Sequence, residues 1–253
     1  MVKIALVGAN GKMGQVITRI VDNSENAQIT FGIDINTERK SDYPVYSSFS
    51  DAKEYCDIII DFSHPSSLEA TLSYALSENK GVIIATTGLS SEQIESINEA
   101  AKKVPVFFSA NMSLGVNLLI QLAKKATALL EDNFDIEIVE KHHNLKIDAP
   151  SGTAIAIADA INETSNYANE YVYDRHSVRK KRSKREIGIH SVRGGTIVGE
   201  HNVIFAGTDE IIEIKHTATS KEIFAVGAVK AAYFLYGKDA GMYNMDNLIA
   251  EIC

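Results

Sequence analysis

The chain has 253 residues, 45% of them hydrophobic, and a formal net charge of −8. That length and apolar content exclude global disorder and allow one large domain or two modest ones, while the acidic balance argues against nucleic acid as a partner. The two cysteines, Cys56 and Cys253, offer no disulfide framework, and Met1-Val2-Lys3 leads into an apolar strand with no signal-peptide layout. No apolar run approaches the roughly 18 residues that span a bilayer, so the expectation is a cytoplasmic protein without membrane contact.

Lys3 to Val7 reads as a strand. It is followed by Gly8-Ala9-Asn10-Gly11-Lys12-Met13-Gly14, and then by Met13, Val16, Ile17, Ile20 and Val21 at helical spacing. Strand, glycine turn and helix are the context of a dinucleotide fingerprint, in which the glycines let the backbone approach a pyrophosphate seated on the helix N-terminus. The spacing is Gly-x-x-Gly-x-x-Gly rather than the stricter Gly-x-Gly-x-x-Gly, and the same glycines also suit an ordinary tight turn. A second strand, Ile29 to Ile33, ends at Asp34, 20 residues after Gly14, where an acid would bond the adenine ribose hydroxyls. Further units follow: a strand over Asp57 to Asp61 with a helix over Ser67 to Leu76, a strand over Gly81 to Ala85 with a polar helix over Ser91 to Lys103, and a strand over Pro105 to Phe108. This alternation predicts a Rossmann-type α/β domain with a parallel sheet, whose ligands bind beyond the carboxyl ends of the strands. Small polar residues gather at those ends, in Thr86-Thr87-Gly88 and Ser109-Ala110-Asn111-Met112, although such residues are also common turn formers.

After a long apolar helix over Leu114 to Leu130 the pattern changes. Glu140 to Ala154 reads Glu-Lys-His-His-Asn-Leu-Lys-Ile-Asp-Ala-Pro-Ser-Gly-Thr-Ala, between the apolar-rich segments Phe134 to Val139 and Ala154 to Ile161. Ser151 is a good N-cap for the helix that follows, which predicts unpaired amides on Gly152 and Thr153 ready for a carboxylate or phosphate. His142, His143 and Lys146 add a proton donor and positive charge, so the stretch reads as a site that binds an anion and delivers a proton. No metal is expected, because adjacent residues of a strand face opposite ways and His142 and His143 cannot easily share an ion. Arg175 to Arg185 carries seven basic residues and reads as a solvated, mobile loop rather than a binding patch. Strand-like segments at Ile187 to Val192, His201 to Ala206 and Glu210 to His216, with glycine turns between, predict a meander or mixed sheet in a second α+β domain. A helix over about Ser220 to Leu235 would pack back on the first domain. The expected domains are 1–112 with 220–253, for the dinucleotide, and 113–219, for substrate and oligomer contacts.

The stretch from Glu140 to Ala154 resembles the signature of the 4-hydroxy-tetrahydrodipicolinate reductases, long called dihydrodipicolinate reductases. The resemblance extends over essentially the whole chain, through Val7 to Gly14, Thr86-Thr87-Gly88, Ser109 to Met112, Ser191-Val-Arg-Gly-Gly195 with Val198-Gly-Glu-His201, and Gly227-Ala-Val-Lys230. It implies reduction of a cyclic imine dicarboxylate by NADH or NADPH in lysine and diaminopimelate synthesis, by a homotetramer joined through the sheets of its second domain. Carried over on matching positions, His142 becomes a proton donor or acceptor and Lys146 the second proton donor. His143, Ser151, Gly152 and Thr153 hold the substrate. Gly8, Ala9, Asn10, Gly11, Lys12, Met13, Asp34, Ala85, Thr86, Thr87, Ser109, Ala110, Asn111 and Met112 line the cofactor site. Some members carry Arg directly after the ribose-binding acid, where it contacts the 2′-phosphate of NADPH; here that residue is Ile35. Two other readings are a non-catalytic NAD(H)-binding redox sensor, which would need no proton donors, and a related imine or amino-acid dehydrogenase, which the Pro-Ser-Gly-Thr dicarboxylate site disfavours.

Overall fold

The computed structural model describes residues 1–252. It divides into two compact units, one formed by Met1–Leu114 with the segment from Glu222 onward, the other by Gly115–Lys221. No helix among the described residues is long and apolar enough to cross a membrane.

The first unit opens with β1 (Val2–Val7), α1 (Lys12–Asp22), β2 (Ala27–Ile33), β3 (Val45–Tyr46), β4 (Ile58–Asp61), α2 (Leu68–Ser77), β5 (Gly81–Ile84), α3 (Ser91–Ala101) and β6 (Pro105–Phe108). These strands carry apolar residues on both faces, as a sheet covered on both sides demands. Ile4, Leu6, Ile58, Ile60, Ile83 and Phe107 enter one core, and Ala5, Val7, Ile59, Val82, Ile84 and Val106 enter the other. Each large side chain taken fully out of water here contributes about 1.5–3 kcal/mol.

The second unit holds most of α4 (Leu114–Leu130), then β7 (Asp135–His142), α5 (Gly152–Thr164), β8 (Glu170–Val172), β9 (Glu186–Arg193), β10 (Gly199–Ala206) and β11 (Ile211–Ala218). Its sheet has the order β11-β10-β7-β9-β8 and is mixed: β7 pairs antiparallel with β10 and parallel with β9. Of the two expected arrangements it is therefore the mixed sheet that forms. Leu119 and Ala123 of α4 and Ile157, Ala158 and Ile161 of α5 pack on one face.

The chain then returns to the first unit with α6 (Glu222–Leu235), β12 (Gly241–Tyr243) and α7 (Met245–Ile252), completing a parallel sheet ordered β12-β6-β5-β4-β1-β2-β3. Ala225, Ala228, Ala231, Ala232 and Leu235 bury α6 in the core against β4, β5 and β6, as its apolar pattern predicts. At Gly227 a Cβ would lie 1.7 Å from the carbonyl oxygen of Met112, so glycine is what lets α6 lie against the loop after β6.

The basic segment does not behave as a purely solvated loop. Arg182 reaches Asp135 at 3.0 Å and Glu137 at 3.0 Å, and Arg175 bridges Glu137 at 2.7 Å and Glu186 at 2.8 Å. Carboxylates on β7 and β9 need partners, and two arginines of the seven basic residues supply them.

Candidate active site

Parallel register places the loops of the first unit along one edge of its sheet. Val7 pairs with Ile33 and with Asp61, Asp61 with Ile84, and Ile84 with Phe108. Gly8, Asp34, Ala85 and Ser109, each next after a strand end, therefore emerge side by side. Gly8 has φ +81°, and a Cβ on Gly14 would lie 2.1 Å from the Gly8 carbonyl oxygen. The turn thus packs backbone on backbone, which only glycine allows. α1 starts at Gly11 with no side-chain cap, whereas α3 has a full capping box from Ser90 and Gln93. The uncapped amides at the start of α1 suit a pyrophosphate.

Asp34 closes over this turn. Its carboxylate accepts from the Asn10 amide at 2.9 Å and the Asn36 amide at 3.0 Å, which leaves acceptor capacity for ribose hydroxyls. Thr86 points the other way: its hydroxyl donates to the buried Asp61 carboxylate at 3.0 Å, beside Thr71 at 2.9 Å. Burial raises the Asp61 carboxyl, against the hydrogen bonds of Ser63, Thr71 and Thr86. Thr86 thus braces the loop through its side chain. Ser109 donates to the Asn111 carbonyl at 3.0 Å, and Asn111 accepts from the Ser113 amide at 2.9 Å, so this loop is internally braced. A cavity of about 670 Å³ lined by Lys3, Asp22, Gln28 and Tyr55 opens at the amino ends of β1 and β2, the wrong end of the sheet for a nucleotide.

In the second unit three strands turn from apolar to polar at the same end. Counting by twos along the inward face gives Ile136, Ile138, Glu140, His142 on β7, Ile187, Ile189, Ser191, Arg193 on β9, and Phe205, Val203, His201 on β10. Register aligns them, with Glu140 opposite both His201 and Ser191, and His142 opposite Arg193. Glu140, His142 and His201 are buried there and must find partners. Arg193 grips Glu140 with two hydrogen bonds of 2.7 Å each. His142 Nδ1 lies 2.6 Å from the Glu140 Oε2 that Arg193 Nη1 also reaches, and the Ser151 amide donates to Oε1 at 3.1 Å. Ser151 caps α5 through the Ala154 amide at 3.1 Å and lies 2.9 Å from His201 Nε2.

Charge follows from this geometry. Burial would raise the Glu140 carboxyl, but hydrogen bonds from Arg193, His142, Ser191 and the Ser151 amide bring it down to about 2. Burial, then His142, hold His201 down to about 4, so it is neutral at pH 7. Lys146 Nζ pairs with Asp148 at 2.9 Å on the loop between β7 and α5. The Lys146 ammonium, aided by backbone amides including Gly152, holds the Asp148 carboxyl low. Gly152 opens α5 beside this acidic loop, and Ser151 caps the same turn. His143 is half-buried beyond the end of β7 and its carbonyl accepts from the Lys146 amide at 3.1 Å.

Because the folded Glu140 carboxyl is depressed from 4.5 to about 2, its contribution is present above about pH 4.5 and is lost as pH falls toward 2, on the order of 3 kcal/mol. Urea unfolding followed between pH 5 and about 2 should therefore fall more steeply for the parent than for Glu140→Gln. Parallel pH dependences would show that Glu140 does not titrate this way.

His142, Lys146 and Ser151 stand out in the sequence motif, whereas Glu140, Arg193 and His201 gain their roles only in the fold. The signal was available in the strand period: each stands in phase with buried Ile, Val or Phe residues of its own strand.

A dinucleotide turn in one unit and a site for protons and anions in the other define a nicotinamide-nucleotide-dependent oxidoreductase. Models of the dihydrodipicolinate reductase N-terminus and C-terminus match residues 2–112 and 115–249. The chain is 50% identical to 4-hydroxy-tetrahydrodipicolinate reductase of Caldanaerobacter subterraneus subsp. tengcongensis, over 99% of both chains. It is 48% identical to the Clostridium tetani enzyme of that name, over 98% of this chain and 97% of the other. The chain belongs to the dihydrodipicolinate reductase family. Its fold is that of dipicolinate-bound dihydrodipicolinate reductase from Paenisporosarcina sp. TG-14, with TM-score 0.83 at 24% identity over 96% of this chain and 97% of that one.

Proposed function

We propose that this chain is a 4-hydroxy-tetrahydrodipicolinate reductase. It reduces a cyclic imine dicarboxylate to tetrahydrodipicolinate with NADH or NADPH, with loss of water, in lysine and diaminopimelate synthesis. The observation that carries the mechanism is His142, held through Nδ1, one turn of loop away from Lys146 and beside a capped helix start. In this reading residues 1–112 with 220–253 bind the nucleotide, through the backbone of Gly8 to Met13, Asp34, Ala85 to Thr87 and Ser109 to Met112. Residues 113–219 bind the substrate, its carboxylates meeting His143, Gly152 and Thr153; Ser151, expected among them, is buried with its amide on Glu140 and its hydroxyl between the Ala154 amide and His201, so it holds the helix start in place instead. The reduced nicotinamide supplies the hydride. Negative charge then arrives on the acceptor, and Lys146 or His142 quenches it with a proton. Asp148 releases Lys146 when a substrate carboxylate takes its place. The outward face of the second sheet, with Val139, Val192, Ile204 and Ile211, is the contact of a homotetramer; Val192 and Ile211 are 44% and 65% exposed in the single chain.

A coupled assay with freshly generated imine, following NADH and NADPH oxidation in parallel, tests the reading. Tight NADH binding without oxidation would favour the redox sensor instead. In the same assay NADH should be used at least as efficiently as NADPH. A 2′-phosphate would face the Asp34 carboxylate, and Ile35 is fully exposed and offers no charge. Arg39 is spent on the Ser41 and Asp42 carbonyls, and Lys40 lies 3.7 Å from Glu38. A higher kcat/KM for NADPH would count against this account of the ribose pocket.

A further inference from the structure

We propose that Glu140 is the positioning residue of this reaction: it holds His142 in the tautomer that carries its proton on Nδ1 and leaves Nε2 as the working nitrogen. The inference rests on the reading of His142 as a proton-transfer group. Glu140 is completely buried on β7, and its two oxygens are taken up by Arg193, by His142 Nδ1 and by the Ser151 amide. It has no access to substrate and acts only through what it holds. An ionised carboxylate is an acceptor, so the Nδ1 it touches at 2.6 Å must be protonated. Nε2 makes no hydrogen bond among the described residues, and Gly199 leaves it room, since a Cβ there would lie 3.1 Å from it. The neighbouring His201 ring is edge-on at 5.2 Å and is occupied with Ser151.

The same carboxylate also sets the rest of the substrate loop. Arg193, fixed by Glu140, donates to the Asp148 carbonyl at 2.6 Å, and the Ser151 amide anchors the start of α5. One buried acid thus registers the imidazole, the Lys146–Asp148 loop and the helix N-terminus against one another.

Glu140→Gln separates this role from simple packing. Its carbonyl is best spent on the side where Ser151 N–H and Arg193 Nη2 both donate, which turns the amide NH₂ toward His142 Nδ1 and Arg193 Nη1; of these two only the imidazole can become an acceptor. Nδ1 must then accept, and the proton moves to Nε2. In ¹⁵N-histidine spectra of the parent at mildly alkaline pH, the His142 signals, identified by their loss in His142→Asn, should show protonated Nδ1 and bare Nε2. In Glu140→Gln they should be exchanged. Turnover of Glu140→Gln should fall roughly 10- to 100-fold with KM changed less than about threefold, the usual cost of losing a group that orients a catalytic side chain. The double variant with His142→Asn should be no slower than His142→Asn alone. A parent His142 protonated on Nε2, or additive losses in the double variant, would overturn the proposal. The parent spectrum decides it even if Glu140→Gln folds poorly. Loss of turnover in His142→Asn with a parent-like Glu140→Gln sinks this proposal alone; near-parent turnover in His142→Asn sinks the role of His142 as well.

Discussion

Lys146→Ala should lower turnover with the imine substrate by about two to four orders of magnitude while leaving NADH affinity nearly unchanged. The side chain is about one-fifth exposed and its ammonium is charged, being paired with Asp148 at 2.9 Å. Its loop is held at both ends, by the Lys146 amide on the His143 carbonyl at 3.1 Å and by Arg193 on the Asp148 carbonyl at 2.6 Å. Truncation therefore removes a proton donor and a cation from a loop that keeps its shape. None of the groups assigned to the nucleotide lies in the same unit. Lys146→Arg should restore the charge but little of the rate, since a guanidinium holds its proton too firmly to give it up. Steady-state rates with NADH saturating, together with a fluorescence titration of NADH binding, measure both halves. Near-parent turnover in Lys146→Ala would remove Lys146 from the chemistry.

Arg193→Ala should cost about 3–5 kcal/mol of stability, the usual penalty for stranding a buried charge. Glu140 is fully buried, and Arg193 supplies two of the hydrogen bonds that keep it ionised. Without the guanidinium the carboxylate must either stay charged in a core position or take up a proton. Two further results separate this from lost packing. The deficit should shrink as pH is lowered from 7, because the stranded Glu140 of the folded variant takes up a proton well before that of the parent, which is held down to about 2. It should also be partly recovered in Glu140→Leu/Arg193→Met, which replaces the pair by apolar groups of similar volume. Urea midpoints at pH 7 and about pH 4 check both; a variant within about 1 kcal/mol of the parent at pH 7 would mean that the pair is not the anchor of this cluster.

Three of the elements that local sequence failed to reveal have a common cause. β3, β8 and β12 are only two or three residues long, too short to show a period, and each exists because a neighbouring strand offers an open edge. The anchoring of the basic segment has a related cause. Its composition is that of a solvated loop, but Glu137 and Glu186 are set in the sheet by pairings of β7 and β9 that no window of the sequence contains, and they draw in Arg175 and Arg182. Gly14 and Gly227 show the reverse: the glycines are plain in the sequence, but the carbonyl oxygens of Gly8 and Met112 that exclude a Cβ appear only in space.

Local chemistry was enough for the parallel first sheet, the glycine turn, the Ser151 cap and the presence of proton-bearing groups between Glu140 and Ala154. Those features depend on backbone preferences and on periods of two or 3.6 residues, which a short stretch carries within itself. How those groups are oriented depended on strand register. Arg193 reaches Glu140 across 53 residues and His201 reaches Ser151 across 50. Such partners are chosen by the pairing of β7 with β9 and β10, and a buried carboxylate accepts whichever donors that pairing delivers to it.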